Sequence, residues 1–174
     1  MGIQFETDYN METLTAMAKG LRKTVRKKRS RRVHIFAAVV LVLGILTILA
    51  TVAGGEPLGA SGVVMLLAML MVILVSLFED RLNAWFAKKR LLPGTEHAVA
   101  TFEEDGYVSA TSMSESKFSY AQIVAVAETE RYFVFALSSH HTQAYDKRNI
   151  RGGSVENFRA FIAEKTGRPV EDIK

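Results

Sequence analysis

Two uncharged stretches, IFAAVVLVLGILTILATVA (Ile35–Ala53) and PLGASGVVMLLAMLMVILVSLF (Pro57–Phe78), decide how the rest of the chain is read. They run for 19 and 22 residues without an Asp, Glu, Lys or Arg. At about 1.5 Å of rise per residue they reach roughly 28 and 33 Å as helices, against a hydrocarbon core of about 30 Å. Buried core helices are the soluble alternative, but a chain of 174 residues leaves too little else to cover two helices that are apolar on every face. The pattern predicts a membrane α-helical hairpin over 34–78, with TM1 over about 34–53 and TM2 over about 58–78.

The linker between the blocks holds Glu56 and no Lys or Arg, whereas nine basic residues precede TM1 and four (Arg81, Lys88, Lys89, Arg90) follow TM2. By the positive-inside rule both termini stay in the cytoplasm, which predicts a multi-pass protein of the inner (plasma) membrane. Thr51-Val52-Ala53 has the small-x-small form of a signal-peptide cleavage site, but the long basic stretch before it and the second apolar helix after it argue against cleavage. No ionisable residue lies inside either block, so an ion or proton pathway through this chain is not expected. Ala37, Gly44, Thr47 and Thr51 share one face of TM1, and Ala68 and Ser76 line part of TM2; such small residues favour close helix packing.

The net charge of +4 is unevenly placed. Residues 1–33 carry nine Lys/Arg against three acids, and residues 97–174 carry nine against eleven, so the basic character sits beside the apolar blocks. Leu14, Met17, Leu21 and Val25 recur at spacings of three or four, which predicts a basic amphipathic arm over 1–33. The arm either lies on the inner leaflet or runs straight into TM1. Arg26, Lys27 and Lys28, inside KTVRKKRSRR, are candidate contacts for acidic head groups, each worth about 1 kcal/mol near an anionic surface. Phe5 and Tyr9 do not interleave with the basic run, so no nucleic acid is expected as a partner. Residues 79–96 read as an amphipathic linker in which Trp85 and Phe86, beside Lys88 to Arg90, form an interfacial anchor.

From His97 the pattern changes to short alternating runs, HAVATF, GYVSATS, ESKFSY, QIVAVAET, RYFVFALS and HTQAYD, separated by turn residues such as Asp105-Gly106. About six or seven strands are predicted, forming an antiparallel sheet or small barrel. Ser154 can cap a final helix that places Val155, Phe158, Phe161 and Ile162 on one face and ends at Gly167 and Pro169. The fold class is therefore a membrane hairpin plus an α+β cytoplasmic domain over 97–174. A meander plugged by a C-terminal helix is a pleckstrin-homology-like (PH-like) arrangement, and a half-open sheet with a helix on one face fits the same pattern.

The order of the basic arm, the two apolar helices, the aromatic-basic linker, "F..DG", "S...F.Y..I..V.E...YF", a "Y.KR"-like strand end and "S.ENF..F" resembles the YcxB-like family of bacterial membrane proteins. The resemblance in architecture covers nearly the whole chain. A proline commonly precedes the Lys-Arg pair in that family, where this chain has Asp146-Lys147-Arg148. What the resemblance implies is fold and location; it carries no catalytic residues.

Little in the chain points to chemistry. There are no cysteines, which excludes disulfides, thiol nucleophiles and Cys-based metal sites. Ser138, Ser139, His140, His141 and Asp146 invite a Ser-His-Asp reading, but no nucleophile elbow accompanies them, and an exposed hairpin loop is expected. His97, His140 and His141 lack acidic residues at ligand spacing, so no metal and no cofactor are expected. Gly54-Gly55 and Gly152-Gly153 lack the lysine and context of a phosphate loop. Lys147, Arg148 and Arg151, beside the helix start at Gly152-Gly153-Ser154, make a candidate anion or lipid head-group site.

These observations predict a non-catalytic, membrane-held PH-like module for binding or scaffolding. Its expected partners are the bilayer and a protein or a second copy of the chain, engaged through the PH-like domain. The alternative is an acidic-lipid-sensing or transport-accessory subunit.

Overall fold

The computed structural model describes residues 2–173. Strand β1 (Ile3–Asp8) alternates so that Phe5 and Thr7 are buried. The Asn10 side chain then accepts the backbone N–H groups of Glu12 and Thr13 at 2.9 and 3.0 Å and so starts helix α1 (Met11–Lys23). After a short turn, helix α2 (Lys27–Ala53) runs unbroken, and helix α3 (Ala60–Leu77) follows it. Their 27 and 18 residues correspond to about 40 and 27 Å of helix. Both are long and apolar enough to cross a membrane, and their side chains are largely uncovered, Phe36 at 70% and Leu77 at 73% exposure. The two helices touch at Gly44, where a Cβ would lie 2.6 Å from the Met69 sulfur. Helix α4 (Glu79–Lys89) carries acids in its first turn and Lys88 and Lys89 in its last, as the helix dipole favours.

Strands β2 (His97–Phe102), β3 (Tyr107–Thr111), β4 (Glu115–Phe118), β5 (Ala125–Glu128), β6 (Tyr132–Ala136) and β7 (Thr142–Asp146) lie where the alternating runs predict them. A two-residue strand β8 (Ile150–Arg151), helix α5 (Val155–Thr166) and strand β9 (Val170–Asp172) complete the chain. Ser154 caps α5 by accepting the Asn157 N–H, and Gly167 closes it in the left-handed conformation at φ 62°. The strands form two sheets, in the orders β4-β3-β2-β1-β8 and β7-β6-β5-β9. Every pairing is antiparallel except that of β9, which lies parallel to β5 because α5 carries the chain across between sheets.

Three features differ from the sequence reading. The stretch read as an arm over 1–33 is not one element: β1 sits inside the five-stranded sheet, between β2 and β8, with six rungs from Ile3↔Phe102 to Asp8↔His97. The chain folds this way because Phe5 needs the aromatic core that only the distant strands provide. The basic helix is also broken at Thr24–Arg26, so α1 lies against the domain while Lys27 begins α2. Finally, the expected six or seven strands become nine among the described residues, since β1, β8 and β9 carry too little pattern of their own.

The core lies between the sheets. Phe5 has no exposed surface and its ring meets Phe158 at 4.6 Å, Tyr145 at 5.7 Å, Phe102 at 5.8 Å and Phe133 at 6.3 Å. These contacts join both sheets to α5, and such ring pairs add about 0.5–1.5 kcal/mol each beyond burial. Helix α1 packs on the outside of β6 and β7 and on α4. Its Gly20 permits this approach: a Cβ there would come within 2.7 Å of a Val134 methyl.

Phe5→Ala is therefore expected to destabilise the domain by about 3–5 kcal/mol, measured by denaturant unfolding of the detergent-solubilised protein. A loss below about 1 kcal/mol would show that β1 is not part of the core. Gly20→Val should cost about 1–3 kcal/mol by overpacking against Val134, and the same assay would refute the contact if stability were unchanged.

Candidate functional site

The cations predicted from sequence fall in two places, and one of them is already occupied by the protein's own carboxylates. After β7 a 3₁₀ turn (Lys147–Asn149) leads into β8. The Lys147 ammonium donates to Glu128 Oε1 at 2.9 Å and to the Thr129 carbonyl at 2.7 Å. Arg159 donates to the same carboxylate at 2.6 and 2.7 Å. Asp146 is buried, and its carboxylate accepts from Arg131 at 2.8 and 2.9 Å and from Arg148 at 3.1 and 3.2 Å. Arg151 reaches Glu6 on β1 at 3.1 Å. Ser154 caps the N-terminus of α5, so the turn is a structural ion-pair lattice in which each basic side chain has a carboxylate partner.

Electrostatics follow from that lattice. The Arg159 guanidinium, together with the Lys147 ammonium, holds the Glu128 carboxyl below its ordinary 4.5 against the opposing effect of burial. Burial pushes the Tyr9 hydroxyl up to about 12 and raises those of Tyr107 and Tyr145. Tyr107 and Tyr145 both donate to Gln143 Oε1 at 2.7 Å, so these buried hydroxyls are satisfied as phenols.

The residues suspected of chemistry are not assembled for it. Ser138–His141 form the β6–β7 loop, with Ser139 Oγ 2.7 Å from the ring of the adjacent His140. Asp146 stands at the far end of β7, five residues and about 16 Å of strand from His141. His97 contacts Asp8 at 2.8 Å and approaches Glu6 at 3.4 Å, across the β1–β2 ladder. Among the described residues no three His, Asp or Glu side chains converge as metal ligands.

The other cations lie where the hairpin meets the domain. Arg22 on α1 makes a bidentate pair with Asp80 on α4 at 2.6 and 2.7 Å, which fastens the two helices together. Arg26, at the break between α1 and α2, donates to the Ser139 carbonyl at 2.6 Å. Lys27 and Lys28 are exposed on the first turn of α2. Beside them is a groove of about 630 Å³ between α1, α2, α4 and the β6–β7 loop. Its floor includes Leu14, Met17, Leu21, Val33 and Phe86. Arg22, Arg26, Arg29, Arg90 and His140 line it, with Glu79 as its one acid. Of these arginines only Arg26 was singled out from the sequence as a head-group contact; Arg29 lies in the same basic cluster and Arg90 was read as part of the interfacial anchor. The spacing of Arg22, Arg26 and Arg29 by four and three was a legible sign of a shared face, whereas the arrival of Arg90 and His140 depends on the fold. The anchor residues also have partners here: Lys89 sits 3.6 Å from the centre of the Trp85 ring, which meets Phe86 at 5.0 Å.

An α+β domain built around an inserted apolar helix pair is thus the class that the fold defines. Residues 102–162, from the end of β2 to the middle of α5, match the family model of the YcxB-like protein, so this part of the chain is similar to that family. No curated protein and no solved structure shows significant similarity to the chain.

Because Glu128 is held below its ordinary 4.5, it stabilises the fold at pH above that value, and the contribution is lost as pH falls through the depressed value. Near-UV circular dichroism is expected to show a steep acid limb below pH 4.5, flattened by Glu128→Gln, which also costs about 1–3 kcal/mol at neutral pH. An unchanged acid limb in the variant would remove Glu128 as the cause. Tyr9 has the opposite sign: its raised value gives stability that is whole below pH 10 and lost as pH rises through about 12.

Proposed function

We propose that the chain is an integral membrane protein whose α2–α3 hairpin holds a YcxB-like, PH-like domain close against the cytoplasmic face of the inner membrane, where the domain serves as a non-catalytic binding or scaffolding module. The observation that carries this reading is the pairing of β1 with β2 across the whole hairpin. Two antiparallel crossings return the chain to the side from which it left, and a sheet made from strands on both sides of the hairpin requires that return. The excess of basic residues at both ends of the hairpin and their absence from the α2–α3 linker favour the cytoplasm as that side. Bidentate pairing of Arg22 with Asp80 and the packing of α1 on α4 support a rigid mount in place of a loose tether.

The surface best suited to a protein or peptide partner is the free edge of β4. It pairs with β3 alone, and Glu115, Ser116 and Lys117 are exposed along it. An extended segment added there would gain main-chain hydrogen bonds without rearranging the core.

In the cysteine-free chain, Glu56→Cys is expected to react with a membrane-impermeant thiol reagent on intact cells, and Glu104→Cys only after permeabilisation. Labelling of Glu104→Cys from outside would overturn the orientation. A photoreactive residue at Ser116 should give one discrete adduct in native membranes and the same residue at Glu104 none; equal, diffuse labelling from both positions would overturn the edge-binding reading.

A further inference from the structure

We propose that the groove between α1, α2 and α4 binds the phosphate of one anionic membrane phospholipid, with Arg26, Arg29 and Arg90 around the head group and Val33 and Phe86 against the start of its acyl chains. The inference rests on the reading of α2 and α3 as membrane spans.

The three arginines come from three places in the fold: the α1–α2 break, the first turn of α2 and the end of α4. Like charges converging on one concave surface repel, and an anion between them relieves the repulsion. Among the described residues no carboxylate lies within ion-pair distance of these three, whereas Lys147, Arg148, Arg151, Arg131 and Arg159 are each paired. Glu79 also lines the groove, but the Arg22 guanidinium lies 3.9 Å from its carboxylate and opposes its charge. Arg22 is already engaged by Asp80 and is not assigned to the ligand.

Position selects a lipid over a soluble anion. Along α2, Arg29 precedes the first residue of the uncharged block, Ile35, by six residues, or about 9 Å, and Val33 precedes it by two, or about 3 Å. The head-group zone of a bilayer is roughly 5–8 Å thick on each side. Arg29 therefore stands at the outer edge of the head-group zone and Val33 inside it, which puts the basic rim of the groove beside the phosphates and its Val33 side toward the chains. Arg29 and Arg90 are exposed, so a head group reaches them from the membrane side without any opening of the fold.

The test uses the full chain, purified and delipidated in neutral detergent and titrated with short-chain phosphatidylglycerol, short-chain phosphatidylcholine or inorganic phosphate. Binding is read by native mass spectrometry and by the melting temperature. One phosphatidylglycerol per chain should be retained, with phosphatidylcholine and inorganic phosphate each binding at least about tenfold more weakly. Arg29→Gln combined with Arg90→Gln should weaken retention by about tenfold or more, the scale expected when two charge-assisted contacts are lost. Arg148→Gln combined with Arg151→Gln, which removes as much charge elsewhere, should change it less than about twofold. Equal weakening by both double variants, equal retention of phosphatidylcholine, or full competition by inorganic phosphate would each overturn the proposal. Because this assay involves no bilayer, its failure is distinct from a failure of the thiol-labelling result on orientation.

Discussion

The pairing of β1 with β2 is the constraint on which the structure depends. Six rungs connect residues 3–8 to residues 97–102, and everything between them, including both apolar helices, is an excursion that must begin and end at the same place. Closing so long a loop costs entropy, although the cost grows only with the logarithm of loop length. Phe5 supplies the offsetting term: it is fully buried at the meeting point of both sheets and α5, and no neighbour in its own segment could provide that environment. The apolar helix pair and the α+β domain are for this reason one folding unit.

That arrangement explains details that otherwise look unrelated. Helix α1 must turn back from the end of β1, cross the outer face of β6 and still deliver the chain to α2, and Gly20 gives it the clearance to pass Val134. The Arg22–Asp80 pair then joins the helix that enters the hairpin to the one that leaves it. Where the two helices diverge from the β6–β7 loop, the groove is formed, so its arginines are a product of the same closure.

The hairpin and most of the strands were legible because their signals are local. An uncharged block or a period-two run needs no partner to be seen, and β2 to β7 and α5 lie where those patterns indicated. β1 was not legible in this way. IQFETD alternates, yet it is short and stands before a basic helical run, and the residues that make it a strand lie about ninety positions away. The break at Thr24–Arg26 has no proline or glycine to announce it and follows from packing of α1 on the domain. The basic turn misled for a related reason. Lys147, Arg148 and Arg151 read as free cations until Glu128, Asp146 and Glu6 are brought beside them, two of those three by long-range contacts.

The most direct test of the central claim joins β1 to β2 covalently and cuts the hairpin between them. With Gln4→Cys and Thr101→Cys, which are opposite each other in the ladder, and a protease site inserted between Gly55 and Leu58, oxidised protein in native membranes should stay in one piece after cleavage until reductant is added. Gln4→Cys with Lys117→Cys, three strands and about 14 Å away, should separate on cleavage without reductant. Release of the N-terminal fragment from the Gln4–Thr101 pair under oxidising conditions would contradict the account, because β1 would then not be paired with β2 across the hairpin.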